Sequence, residues 1–331
     1  MAILVCGGAG YIGSHMTALL REQGEDAVVV DNLQKGHRGA VDPSVPFHKA
    51  DLRDEAALSK VFEKNNISAV IDFAADSLVG ESMSDPLKYY DNNLYGTTVL
   101  LRVMNRFDVK RIVFSSTAAV YGEPERVPIL ETDRNLPTNP YGETKLAMEK
   151  MLRWAGEAYG ISWTALRYFN AAGAHRSGKI GEDHSPESHL IPLVLSAALG
   201  KRESIAVFGD DYPTKDGTCV RDYIHVSDLA MAHLKALKRM ERGGDSAVFN
   251  LGNGTGFTVK EVIDVARAVT GRAIRADISA RRAGDPAVLV ASSEKAKNEL
   301  GWTPEIPSLE HIIASAWTWH LDHPDGYGDR K

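Results

Sequence analysis

Cysteine is nearly missing from this sequence: Cys6 and Cys219 are the only two in 331 residues. So small a number excludes a disulfide framework and points to a reducing, cytoplasmic setting. A basic surplus is missing too, since 38 Lys and Arg against 44 Asp and Glu leave a formal net charge of −6. Nucleic acids and anionic membrane surfaces are recognised by basic faces, so neither is expected as a partner. No uninterrupted apolar run approaches the roughly 18 residues that a membrane span needs. The opening Met1-Ala2-Ile3-Leu4-Val5 carries no basic segment and soon meets glycine, unlike a signal peptide. The 11 histidines show no H-x-x-x-H pair that a helix would bring onto one face, so no metal is expected. Repeats and low-complexity stretches are absent.

What is present is an alternation. Short aliphatic runs at 3–5, 27–30, 69–73 and 111–115 are interleaved with helix-period segments at 14–23, 55–65 and 93–107. Continuous apolar runs of this length suit strands buried on both faces, joined by crossover helices. The fold class expected is therefore α/β, a doubly wound parallel sheet with a smaller C-terminal substrate-binding α/β lobe. Beyond Asn170 the regular order breaks into Gly-, Ser- and His-rich sequence. The expected division is a cofactor domain at 1–172, to which 222–250 returns, and a second domain at 173–221 and 251–331. Val248-Phe249-Asn250-Leu251 reads as a late strand able to rejoin the main sheet, and the tail after Leu321 reads as frayed.

The first strand runs into Gly7-Gly8-Ala9-Gly10-Tyr11-Ile12-Gly13, a G-x-x-G-x-x-G turn opening a helix. Gly7, Gly10 and Gly13 permit tight backbone approach to a pyrophosphate, and the helix end supplies free amides. Asp31, at the end of the second strand, stands where a carboxylate meets the adenosine ribose of a dinucleotide. It would repel a 2′-phosphate, so NAD is preferred over NADP. Asp51-Leu52 and Phe73-Ala74-Ala75 fall where further cofactor-facing loops should lie, and the two alanines leave room for a flat ring. These features mark a Rossmann-type domain.

Asn139 and Pro140 open a helix that carries Tyr141 and Lys145 at i and i+4 on one face. A phenol is a poor base at neutral pH, and an ammonium and a helix N-terminus are expected to lower its pKa. Tyr141 then becomes a proton acceptor for a hydroxyl. Thr117, just past Ile112-Val113-Phe114-Ser115-Ser116, offers a partner hydroxyl.

With these motifs in hand, the chain resembles the extended short-chain dehydrogenase/reductase superfamily and, within it, the UDP-galactose 4-epimerase family. The likeness rests on the glycine turn, Tyr89-Tyr90-Asp91-Asn92-Asn93, Ser115-Ser116-Thr117 and Tyr141-Gly142-Glu143-Thr144-Lys145. Arg167-Tyr168-Phe169-Asn170, Asp222-Tyr223-Ile224-His225-Val226 and Arg281-Arg282-Ala283-Gly284-Asp285 extend it. The resemblance implies reversible inversion at carbon 4 of UDP-glucose and UDP-galactose. Tyr141 would act as base, Lys145 and Thr117 would assist it, and NAD would be tightly held. It implies cofactor contacts from Tyr11, Ile12, Asp31, Asn32, Asp51, Leu52, Phe73, Asn92, Tyr141, Lys145 and Phe169. Substrate contacts are implied for Thr117, Asn170, His189, Leu190, Ala206, Phe208, Arg221, Tyr223, Arg282 and Asp285. Guanidinium forks suit a diphosphate, which supports Arg221 and Arg282 independently. Phe208 offers a ring to a uracil.

The resemblance further implies a homodimer through helices at 93–107 and 141–159, with Leu94, Val99, Leu101, Met148, Met151, Leu152 and Ala155 as an apolar stripe. Leu289 aligns where bulk limits room at the hexose 2-substituent. Three positions depart from the family pattern: Asp76-Ser77 where a lysine is common, Thr117 for serine, and His189 for asparagine. A 4-epimerase of N-acetylated or uronic sugars, a 4,6-dehydratase on the same fold, and a non-catalytic NAD-sensing protein remain as alternatives. Against dehydration, Thr117 is followed by Ala118 and Ala119, which transfer no protons.

Overall fold

The computed structural model describes residues 1–282 and 286–329. From the N-terminus come β1 (Ala2–Cys6), α1 (Tyr11–Glu22), β2 (Ala27–Asp31), β3 (Phe47–Lys49), α2 (Glu55–Lys64) and β4 (Ile67–Asp72). Two short helices, α3 (Val79–Ser84) and α4 (Pro86–Tyr89), lead through a wide π-helical turn at Tyr90–Tyr95 into α5 (Gly96–Arg106). The helix expected from residue 93 thus becomes regular only at Gly96. Then follow β5 (Arg111–Ser115), α6 (Pro140–Tyr159), β6 (Ser162–Arg167) and β7 (Asn170–Ala172). The second half brings α7 (Leu190–Ala198), β8 (Ile205–Phe208), β9 (Val220–Arg221), β10 (Tyr223–His225), α8 (Val226–Glu241) and β11 (Ala247–Asn250). It ends with β12 (Phe257–Thr258), α9 (Val259–Thr270), β13 (Ala276–Ser279), β14 (Val288–Leu289), α10 (Glu294–Leu300) and α11 (Leu309–Asp322).

Seven strands form one sheet in the order β11-β6-β5-β4-β1-β2-β3, with every pair parallel. Alternation along each strand divides its side chains between two helical layers. Val5, Val29, Ile71, Val113 and Phe249 pack with Met16 and Leu20 of α1 and Leu229 and Leu237 of α8. Leu4, Val28, Val70, Ile112 and Phe114 pack with α2, α5 and α6 through Phe62, Leu100, Met104, Met148 and Leu152. Each such side chain contributes about 1.5–3 kcal/mol through burial.

This second layer corrects the dimer stripe. Val99, Leu101, Met148, Leu152 and Ala155 are all buried within the chain, and Leu94 and Met151 pack at the margin of the same cluster. The sheet needs apolar cover on that face, so the five buried residues are not available to a partner, while Leu94 and Met151 are half-buried.

A separate apolar cluster joins Ile191, Val194 and Leu195 of α7, Ile205 and Val207 of β8, Val262 of α9 and Ile312 of α11. β8 pairs with β13, while β9 pairs with β12 and β14, all outside the large sheet. The tail is not frayed as expected. His37 stacks on Tyr327 at 4.7 Å and meets Asp329 Oδ1 at 2.5 Å, and the Tyr327 amide donates to Asp183 at 3.0 Å. Aromatic and charged residues beyond α11 thereby fasten the tail to the phosphate-turn side of the molecule. Both cysteines are buried and free.

Candidate active site

The large sheet's strand order reverses direction between β1 and β4, and the loops leaving their carboxyl ends face each other there. Gly7 takes φ of 68°, and a side chain at that position would put Cβ 2.9 Å from the Ala74 nitrogen. A Cβ on Gly13 would collide with the Gly7 carbonyl oxygen. These two glycines let the turn fold back on itself and lie against the loop after β4. No side chain caps α1, so its first-turn amides remain for an anion. The resulting cleft is lined by Gly7, Gly10, Asp31, Asn32, Asp51, Leu52, Phe73, Ala74, Ala75 and Asn92, together with Gln34, Lys35 and Asp76.

Within it, Asp31 accepts from the amides of Ala9 at 3.0 Å and Leu33 at 2.8 Å. Burial pushes its carboxyl up, and these amides pull it back. Asp51 is committed to its neighbours: Arg53 donates to it at 2.9 and 2.8 Å and Asn32 at 3.0 Å. The Arg53 hydrogen bond foremost holds that carboxyl well below its usual range. Tyr11 donates its hydroxyl to the Gly173 carbonyl at 2.6 Å. Its neighbour Ile12 packs against the core.

Asn93 does more than its place in the Tyr89–Asn93 motif suggests. It is buried, accepts from the Asp76 amide at 2.8 Å, and donates to the Asp76 carbonyl at 3.0 Å and to Thr144 at 3.3 Å. The loop after β4 is thereby tied to α6. Asn92 donates to the same Asn93 oxygen at 3.1 Å.

Thr117, Tyr141 and Lys145 meet at the carboxyl end of β5. Asn139 caps α6 by accepting from the Gly142 amide at 2.9 Å, which fixes the phase of the helix. Thr117 accepts from the Ala119 amide at 3.1 Å and faces the Tyr141 phenol. Lys145 donates to the Ser115 carbonyl at 2.8 Å, with its ammonium 4.7 Å over the Phe114 ring. Burial lowers its pKa to about 8, against the pull of Asp72 and Glu149. Burial pushes the Tyr141 phenol up to about 12, and only the Thr117 hydroxyl counters it. The lowering expected from Lys145 is not seen here: its ammonium serves the Ser115 carbonyl and faces the Asp72 carboxylate.

The substrate candidates fall into smaller groups. Arg282 lies over the Phe208 ring at 3.9 Å, which covers a face offered to a base. Arg221 donates to the carbonyls of Val220 at 2.8 Å and Pro286 at 2.9 Å. Asn170 donates to the Asp222 carbonyl at 2.9 Å and pairs across strands with Tyr223, which is buried. Phe169 and Leu289 share an apolar cluster with Ala118, Val120 and Leu146, directly beside Thr117. His189 precedes Leu190 at the start of α7. Ala206 is exposed on β8. Asp285 lies outside the described residues.

A match to the NAD dependent epimerase/dehydratase family runs over residues 3–252. The chain belongs to that family. Among similar proteins of this family, the UDP-glucose 4-epimerase of Halalkalibacterium halodurans is 61% identical over 99% of this chain and 98% of its own. A crystal structure of a UDP-glucose 4-epimerase superposes with a TM-score of 0.98 at 56% identity, covering 99% of this chain and 100% of the other. The Bifidobacterium longum UDP-glucose 4-epimerase, solved in complex with NAD+ and UDP, gives 0.93 at 42% identity over 98% and 100%.

Proposed function

We propose that this epimerase-family chain interconverts UDP-glucose and UDP-galactose by inverting carbon 4 through a transient 4-ketose. The observation that carries the reading is the convergence of Thr117, Tyr141 and Lys145 beside a cleft walled by the Gly7 turn. The Gly7 approach to Ala74, the uncapped α1 and Asp31 at the end of β2 fit NAD, with the other cleft-lining residues and Phe169 completing its surroundings. When bound, NAD supplies reversible hydride acceptance, which allows carbon 4 to be oxidised and then reduced from the other face.

Tyr141 takes the proton from the 4-hydroxyl and later returns it to the ketose oxygen. Thr117 hydrogen-bonds that oxygen, and Lys145 orients the cofactor ribose while keeping the floor of the site polar. Burial raises the Tyr141 phenol and the Thr117 hydroxyl opposes that rise, so a cation held in the site, such as the cofactor's ring, would help Tyr141 to act as base. On the other side, Asn170, Leu190, Ala206, Phe208, Arg221, Tyr223, Arg282 and Asp285 hold the nucleotide. Arg282 leaves or shares the Phe208 ring as uracil enters. The hexose has to turn over between the two hydride steps, so the grip belongs on the nucleotide and not on the sugar.

The same reading extends to a homodimer through α5 and α6. With the inner stripe buried, Tyr95 and Trp154, both exposed, become the apolar surface on offer. They lie one helical turn from Thr98 and Met151, which touch at 3.4 Å. No helix among the described residues is long and apolar enough to cross a membrane. A cytoplasmic location is part of the proposal. Incubating the purified protein with UDP-galactose, and separately with UDP-N-acetylgalactosamine, and separating the products tests the activity. Failure to form UDP-glucose from the first would overturn it.

A further inference from the structure

Four side chains outside the catalytic group crowd together in the segment between β7 and α7. Glu182, His184, Glu187 and His189 each offer one ligand atom, and these atoms all lie within 4.8 Å of one another. His189 Nδ1 is 2.7 Å from Glu182 Oε1 and 3.4 Å from Glu187 Oε1. His184 Nδ1 is 3.2 Å from Glu182 Oε1 and 3.7 Å from Glu187 Oε2.

Glu187 Oε1 is satisfied, accepting from the amides of Ser188 at 2.7 Å and His189 at 2.8 Å, but two atoms of the cluster are not. Glu182 is only 5% exposed, yet its Oε1 has no hydrogen-bond partner, and neither does the buried His184 Nδ1. Buried polar atoms that approach so closely while missing the hydrogen-bond direction are costly unless something between them is shared. Among the described residues, no lysine or arginine pairs with Glu182 or Glu187; the groups that face these carboxylates are the imidazoles of His184 and His189.

We propose that Glu182, His184, Glu187 and His189 form a site for a divalent transition-metal ion of zinc type. Zinc binds imidazole nitrogen and carboxylate oxygen at about 2.0–2.2 Å, and a tetrahedron of such bonds separates its ligands by roughly 3.4 Å. The histidine–carboxylate contacts, from 2.7 to 3.7 Å and shared over both oxygens of Glu187, lie around that value, and the ligand atoms, all within 4.8 Å of one another, would draw together to close on an ion. Two carboxylates neutralise the dication, and two imidazoles favour a transition metal over calcium or magnesium. The H-x-x-x-H spacing sought in the sequence misses this set because its order is E-x-H-x-x-E-x-H on an irregular segment, not a helix.

The ion's role is structural. The His184 ring stands 6.2 Å from that of Tyr11, edge to face, and Tyr11 in turn holds the Gly173 carbonyl. Gly181 and Asp183 are fastened to Tyr327. An ion closing the cluster would fix the whole segment against the phosphate turn and set the entry to α7.

The test uses untagged protein with its cofactor in place. Metal content is measured by inductively coupled plasma mass spectrometry, before and after chelator treatment. Zinc is then titrated back against a chromophoric chelator, with cobalt as a spectroscopic probe. One zinc per chain is expected, with tetrahedral cobalt absorption, and a loss of affinity of more than about 100-fold in His184→Gln and in Glu182→Gln. No stoichiometric uptake by the wild type, or equal uptake by both variants, overturns the site. X-ray absorption at the zinc edge of the wild type keeps the question open to refutation should the variants fail to fold. It should show four nitrogen or oxygen neighbours with imidazole scattering, whereas sulfur neighbours would rule the cluster out.

Discussion

Arg167 and Glu149 face each other in the core as a two-point ion pair, Nη2 to Oε2 at 2.5 Å and Nε to Oε1 at 2.9 Å. Ser116 adds a hydrogen bond to the same carboxylate at 2.5 Å. Glu149 lies one turn beyond Lys145 on α6, so this pair locks the catalytic helix to the ends of β5 and β6. Arg167→Met should strand a buried carboxylate and lower unfolding free energy by about 3–5 kcal/mol. Adding Glu149→Leu should recover much of that loss, since both charges are then gone. Denaturant titration of both variants checks this; a single-variant loss near zero would show that the pair is not holding the helix.

Tyr141→Phe should leave the fold and the retained cofactor nearly unchanged while lowering turnover about 10²–10⁴-fold, the usual cost of losing a general base. The substitution deletes one oxygen from a side chain whose ring contact with Tyr89, 6.5 Å between centroids, is kept. Turnover like that of the wild type would remove Tyr141 from its role.

Cofactor released by denaturing the protein should prove by mass to be NAD. Asp31 already accepts two backbone amides, and a 2′-phosphate brought beside that carboxylate would meet like charge. Recovery of NADP would contradict the reading of this position.

Leu289 shares its apolar cluster with Phe169 and with Ala118, next to Thr117. Leu289→Ser should raise the ratio of N-acetylated to plain sugar turnover, and Leu289→Tyr should lower it. A contact of methylene size is worth only about 1–3 kcal/mol, or roughly 10–200-fold in specificity. Comparing kcat/KM for UDP-galactose and UDP-N-acetylgalactosamine measures the change, and an unmoved ratio in both variants would place the residue away from the sugar.

Burial pushes the Asp72 carboxyl up to about 6, although the Lys145 ammonium pulls it down. The folded state therefore binds this proton more tightly than the unfolded state does. The associated stability, on the order of 3 kcal/mol, is fully present below about pH 4 and gone above about pH 6. Asp72→Asn lacks this titration, so its stability should gain on the wild type as pH rises through that window. Parallel pH curves for the two proteins would contradict the assignment.

Much of this was legible in the residues. Strand positions in the first half followed from aliphatic runs, and the glycine turn and Tyr141–Lys145 pair followed from spacing alone. β6 was not, because Ser162, Trp163 and Thr164 dilute its apolar signal. The dimer stripe misled because periodicity reports that a helix has an apolar face, not what covers it; here the sheet claims Val99, Met148 and Leu152. The Tyr141 pKa misled for a similar reason. An i,i+4 spacing places two side chains on one face, but the Ser115 carbonyl, distant in sequence, decides where the Lys145 ammonium goes. Ligand spacing on an irregular segment and the anchorage of the tail by His37 likewise depend on partners far along the chain.

β11 joins the large sheet through Ala247–Asn250, beside β6, only after β7 to β10 and α7 have been traversed. During synthesis, the exposed edge of β6 must therefore wait some eighty residues for its neighbour. Such an edge is a template for wrong pairing, and late long-range closure slows folding. A ribosome-bound chain arrested before residue 247 would consequently be the form most in need of a chaperone, and the cofactor-binding half could not be excised as a contiguous fragment without leaving that edge bare.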